Sequence, residues 1–120
     1  VGSRCPFNSG AAPSVLFATM SDEEIESFLA NPEKHRHLNK PVNIAAMRRS
    51  VAEIRKNGWA ISADEVAPGL TAIGAPIRGP KGDVVAAFSL VGLSPQLMAS
   101  PERYRDQILH AAKLASELIV

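Results

Sequence analysis

Apolar residues recur at spacings of three and four in the middle of the chain, with polar residues between them. The repeat consists of Ile44, Met47, Val51 and Ile54. Such spacing places the apolar side chains on one side of a helix. Asn43 is a favourable N-cap before the run, and Gly58 is a favourable residue just after it. The pattern predicts a helix over residues 44–57 with one buried face.

Two longer apolar runs of strand character follow, over residues 70–78 and 84–92. Residues 79–83 separate them and contain two glycines and a proline. Turn residues between two strand-like runs favour an antiparallel hairpin. A shorter run over residues 59–62 predicts a third strand before the hairpin.

Start and stop signals predict two helices before this region. Residues 11–20 are mostly small and apolar, and a helix tolerates Pro13 in its first turn. Ser21 and Glu24 have the spacing of a capping box, which predicts the start of a second helix. Polar residues without a period follow, and we expect the segment 33–41 to be the most mobile internal part.

The end of the chain predicts a loop over residues 94–100 and then a closing helix. Ser100 is expected to cap this helix, with Pro101 in its first turn. Its predicted buried face comprises Tyr104, Ile108, Ala111, Ala115 and Leu118. Because helices and antiparallel strands form separate blocks, the predicted fold class is α+β.

Composition limits the classes of function. The 120 residues are the length of one domain, and a net charge of +1 provides no general attraction to nucleic acid. A single cysteine excludes an internal disulfide and fits the reducing cytoplasm. No apolar run reaches the roughly 18 residues of a membrane span. We therefore expect a cytoplasmic domain without membrane contact.

Candidate chemical groups are few. Cys5 is not part of a cysteine-enzyme motif, so we expect an ordinary small core residue there. Glu33, His35 and His37 lack the further ligands that a zinc site needs. The sequence therefore predicts no catalytic residue and no metal site.

Small side chains dominate one face of the predicted hairpin. Alternation along a strand places Ala72, Gly74 and Pro76 on one face of the first strand, and it places Ala87, Ser89 and Val91 on one face of the second. A surface of small residues leaves room for a ligand or for a close-packed helix. Periodicity alone favours neither of these interpretations.

The region from residue 58 to residue 78 also carries an ordered pattern of small, polar and aliphatic positions. The pattern consists of Gly58, Ser62, Glu65, Ala72, Ile73, Gly74 and Ile77. In this order the residues resemble the signature of the effector-binding domain of the IclR family of bacterial transcriptional regulators. Arg78 and Gly79 depart from that signature, because an aromatic residue and Asp or Asn usually stand there. The small-residue start of the first helix and the closing helix are also similar to the family.

The resemblance implies that residues 1–120 are the C-terminal portion of an effector-binding domain with a GAF-like fold, an antiparallel sheet packed with helices. Because the chain begins with Val1, we expect a piece of a longer protein. The family's winged helix-turn-helix and the first part of its sensor domain would be absent from this chain. The resemblance implies a small-molecule metabolite as effector, a homodimer or homotetramer, DNA binding only through the absent domain, and no cofactor.

The resemblance also implies where the effector lies. The matching positions are Ala12, Pro13 and Ser14 at the start of the first helix, Ser62 in the signature loop, Ala72 on one strand, and Ser89 and Val91 on the next. Trp59 is expected to form an aromatic wall of the same pocket. Ala72 lacks the polar group that is common there and Val91 is apolar, so we expect a less polar effector, such as an aromatic acid.

Two alternatives stay open on the residues alone. One is a redox enzyme on a GAF-like fold that uses Cys5, which fast alkylation of the thiol near neutral pH would reveal. The other is a protein-interaction module that binds a partner through the sheet face. A thermal-shift screen with metabolites separates it from a sensor, because only a sensor gains stability from a small ligand.

Overall fold

A computed structural model describes residues 10–30, 43–64 and 67–119. These residues form α1 (Ala11–Ala18), α2 (Asp22–Ala30), α3 (Ile44–Asn57), β1 (Ala60–Ala63), β2 (Leu70–Arg78), β3 (Val84–Leu93), α4 (Ser94–Ala99) and α5 (Pro101–Glu117). The strands make an antiparallel sheet in the order β1-β2-β3. The predicted α+β class and the predicted hairpin are confirmed.

The sheet separates two layers of helices. On one face, Ala72 packs in a cluster with Val15 of α1 and Ile54 of α3. On the other face, Ile73 packs with Leu97 of α4 and with α5. Since successive strand residues point to opposite faces, β2 contributes to both clusters and is the centre of the domain.

A third apolar cluster joins α1, α2 and α3 beside the sheet. Its buried members are Phe17, Ile25, Phe28, Leu29 and Met47. Polar contacts reinforce this junction: the guanidinium of Arg48 on α3 is bonded to the carboxylate of Glu26 on α2, with 3.0 Å between Nη2 and Oε2. This hydrogen bond lowers the pKa of the Glu26 carboxyl. The pair is exposed, so the apolar cluster supplies most of the stabilisation.

Local signals in the sequence are realised in the caps of the helices. The Ser21 hydroxyl accepts a hydrogen bond from the Glu24 amide at 3.2 Å, and the Glu24 carboxylate accepts one from the Ser21 amide at 3.4 Å. Asn43 Oδ1 accepts from the Ala46 amide at 3.0 Å. Gly58 ends α3 in the left-handed conformation, with φ at 81°. The predicted capping box, N-cap and C-terminal glycine are therefore confirmed.

Some predictions near the end of the chain are wrong. The loop predicted over residues 94–100 is largely the short helix α4, because Leu97 becomes buried against β2 and α5. Ser100 occupies the N-cap position of α5, but its side chain makes no capping hydrogen bond. Leu118 follows the end of α5 and is 81% exposed, so it is not part of the buried face. Ile108 and Ala112 are the residues of α5 that are fully buried.

Three predictions fall outside the described residues: the environment of Cys5, the mobility of the segment 33–41, and the absence of a metal site at His35 and His37. Within the ranges that the structure does describe, no group of acidic, histidine or cysteine side chains is placed to hold a metal ion. None of the helices in those ranges is long and apolar enough to cross a membrane.

Candidate functional site

The small residues of the hairpin form two adjacent rows across the sheet. The first row consists of Ser62, Ala72 and Val91, and the second consists of Ala60, Gly74 and Ser89. Residues directly opposite each other in an antiparallel sheet point to the same face, so both rows belong to the face that α1 covers. Strand register thus brings Ser62, Ala72, Ser89 and Val91 together, as the family resemblance implies.

Helix α1 lies directly on the second row. A Cβ atom built on Gly74 would be 2.9 Å from the carbonyl carbon of Ala11 and 3.0 Å from its oxygen. Both are backbone atoms, which cannot rotate away as a side chain can. Close packing of a helix is therefore the reason for a glycine at this position.

The first row changes from buried to open along its length. Ser62 and Ala72 are buried, whereas Val91 on β3 is 56% exposed. Ser62 is a residue of β1 and stands opposite Ala72, which agrees with the strand predicted over residues 59–62 and not with the loop position that the resemblance implied. The acidic member of the signature, Glu65, lies outside the described residues. Ser89, in the next row, is half-buried.

The start of α1 is the polar part of this region. No side chain caps the helix from the N-cap position, where Gly10 has a φ of 110°. Ser14 donates its hydroxyl proton back to the carbonyl oxygen of Gly10 at 2.7 Å. Pro13 has no amide proton, so Ala11 and Ala12 supply the first-turn N–H groups. The half-buried Ala12, Pro13 and Ser14 therefore mark a place where backbone amides, more than side chains, can bind a ligand.

Trp59 does not share this face. Its ring packs against the cluster around Ile73 and Ile108, beside α5. The Arg105 guanidinium lies 5.9 Å from the centre of the ring. The predicted aromatic wall is wrong, because Ala60 points towards α1 and Trp59, the residue before it, points to the opposite side of the sheet.

Gly10 and Ala11 were missed by reasoning from side chains. Gly10 is buried and Ala11 contacts the sheet through its backbone. Neither has a functional group on its side chain. The available signal was the run of very small residues from Ser9 to Ala12, which permits close approach of a backbone.

Ala72→Leu tests whether the space in front of β2 is already filled. Ala72 is in van der Waals contact with the cluster of Ala11 and Val15, so overpacking should reduce the free energy of unfolding by about 1–3 kcal/mol. Urea denaturation measures this change. The matched control is Ala63→Leu, at an exposed position of β1. An unchanged stability of Ala72→Leu would instead indicate an open cavity at this residue.

The chain was compared with known proteins. The family model for the bacterial transcriptional regulator IclR C-terminal matches residues 1–117. The Pca operon regulatory protein of Acinetobacter baylyi is 31% identical over 111 residues, which are 91% of this chain and 39% of that protein. The transcriptional repressor AllR of Klebsiella pneumoniae is 28% identical over 108 residues, which are 89% of this chain and 39% of that protein.

Comparison with solved structures agrees with the family match. The crystal structure of Thermotoga maritima IclR superposes with a TM-score of 0.82 and 25% identity, covering 98% of this chain and 48% of that one. The chain thus spans less than half the length of these relatives. They are transcriptional regulators, so the alternative of a redox enzyme built on Cys5 gains no support. By the match over residues 1–117, the chain belongs to the IclR family of bacterial transcriptional regulators and carries its C-terminal domain.

Proposed function

We propose that this domain binds a small organic acid as the effector of a transcriptional regulator. The proposed site lies between the first-turn amides of α1 and the row of Ser62, Ala72 and Val91. The observation that supports it best is the contact of α1 with the sheet at Gly74, which brings the first-turn amides of the helix beside the two rows of small residues.

The chemistry of the site favours a carboxylate with an apolar body. The N-terminus of a helix carries a partial positive charge and unpaired N–H groups, which together attract an anion. The amides of Ala11 and Ala12 would bind the carboxylate, and the hydroxyls of Ser62 and Ser89 would add hydrogen bonds. Val91, which is exposed, provides an apolar surface for the remainder of the molecule.

Regulation would follow from the position of α1 between the site and the other helices. Its Val15 and Ala18 pack against Ile54 of α3, so a ligand at the start of α1 acts on the packing of α3 as well. The effector would favour one arrangement of a homodimer or homotetramer, and a DNA-binding domain outside this chain would respond. A ligand can do this only through its difference in affinity for the two arrangements.

The test is affinity for benzoate and for short aliphatic carboxylates, measured by calorimetry on the protein and on two variants. Ser62→Ala and Ser89→Ala should each weaken binding by about 0.5–1.5 kcal/mol, the net value of one hydrogen bond. Ser27→Ala, at an exposed position of α2, is the control and should not change affinity. If both Ser62→Ala and Ser89→Ala bind like the parent protein, the effector does not lie on these rows.

A further inference from the structure

A second cavity lies at the other end of α1, beneath the turn between β2 and β3. Its volume is about 460 Å³, within the range of roughly 300–1,000 Å³ that small-molecule sites occupy. Its apolar lining includes Val15, Ile54, Pro76 and Val84. None of the residues of the two small-residue rows lines it, so it is distinct from the proposed effector site.

Two arginines line this cavity, and they differ in what they can still bind. Each nitrogen of the Arg55 guanidinium donates a hydrogen bond: two go to the carbonyl oxygens of Ala18 and Met20, each at 2.9 Å, and one goes to the carboxylate of Asp22 at 2.7 Å. These contacts close the junction between α1 and α2. Arg55 is therefore part of the wall.

Arg78 retains unused donors. Its Nη1 donates to the carbonyl oxygen of Gly82 at 3.0 Å. Among the residues that the structure describes, the Arg78 side chain makes no other hydrogen bond. It forms no ion pair with a carboxylate of those residues, although Asp83 also lines the cavity. Nε and Nη2 are thus available to a ligand, in the planar geometry that matches a carboxylate.

Asp22 neutralises Arg55, so the Arg78 guanidinium is the group of the lining that can attract an anion, and the carboxylate of Asp83 opposes it. We propose that this cavity is a second binding site for a small monocarboxylate. The carboxylate would bind to Arg78, and the apolar body would rest on Val15, Ile54, Pro76 and Val84. The proposed effector site and this cavity lie at opposite ends of α1, which is eight residues or roughly 12 Å long. A ligand at one site should therefore shift the amide signals at that end of the helix.

The experiment is a titration of the ¹⁵N-labelled protein with 4-fluorobenzoate, followed by amide chemical shifts. We expect saturable shifts at Thr19, Gly58 and Gly82, next to the cavity. 4-Fluorobenzyl alcohol, which has the same ring without the charge, should produce much smaller shifts at these amides. The proposal is overturned if none of the three amides shows a saturable shift, or if the two probes shift these amides equally.

Two variants with opposite expected effects separate binding from a change in fold. Arg78→Gln should weaken the binding of 4-fluorobenzoate at this cavity by roughly three- to tenfold, because an exposed hydrogen bond from a charged donor is lost. Asp83→Asn should strengthen it by roughly twofold, since a repelling charge is removed. Equal affinity in the parent and both variants would overturn the site. Ser89→Ala should leave the affinity of this cavity unchanged. A failure of the proposed effector site can therefore be told apart from a failure of this second site.

Discussion

Replacing Phe17 with alanine is expected to reduce the free energy of unfolding by about 3–5 kcal/mol. Phe17 is 2% exposed and stands in the cluster that joins α1, α2 and α3. Its ring centre lies 5.0 Å from that of Phe28, at an interplanar angle of 61°. The substitution removes this edge-to-face contact and leaves a cavity that three helices cannot close together.

The neighbouring residue provides the control for Phe17→Ala. Leu16 lies on the same helix and is 37% exposed, so Leu16→Ala should cost about 1 kcal/mol or less. Urea denaturation followed by circular dichroism measures both variants. Equal losses at the two positions would show that the cluster is not the part of the domain on which its stability depends.

Gly74→Ala is expected to reduce both stability and effector binding. The added methyl group meets the backbone of Ala11 at 2.9 Å, so the start of α1 must move away from β2. Such overpacking costs about 1–3 kcal/mol. Because the first-turn amides of α1 form the proposed anion site, their displacement should also weaken binding of a carboxylate. Denaturation in urea and calorimetry with benzoate measure the two effects.

Gly79→Ala is the matched control, since it makes the same change at the end of the hairpin. A methyl group there would meet side-chain atoms of Asp83 and Val85, which can rotate away. We expect little loss of stability and unchanged affinity. If Gly74→Ala instead behaves like Gly79→Ala, α1 is not held against the sheet at this contact, and the proposed site loses its geometrical basis.

Prediction from the sequence succeeded wherever a signal acts over a few residues. The capping box of Ser21 and Glu24, the N-cap of Asn43 and the left-handed Gly58 depend on the backbone within one turn of a helix. The strand β2 begins and ends where its apolar run does. Residues 94–99 were missed because their helix is stabilised by burial of Leu97, a contact between distant parts of the chain.

In the candidate site, too, local patterns were predicted correctly and contacts between distant segments were not. Alternation correctly placed Ala72 and Gly74 on one face, but it could not say whether a ligand or a helix occupies that face. The structure answers this at Gly74, where the backbone of Ala11 occupies the space. The predicted use of Trp59 failed because alternation along the strand places residues 59 and 62 on opposite faces, and the pairing of Ser62 with Ala72 leaves Trp59 on the side of α5.

The sequence by itself determined the family, the α+β class, the limits of most helices and strands, and the face on which the small residues lie. These follow from periodicity, caps and turns, whose energies are local. Only the tertiary structure decided that α1 rests on Gly74, that Arg55 pairs with Asp22 while Arg78 pairs with no carboxylate among the described residues, and that a second cavity lies beneath the hairpin turn. These features arise where segments far apart in the chain meet, and no spacing within one segment can encode the distance between two of them.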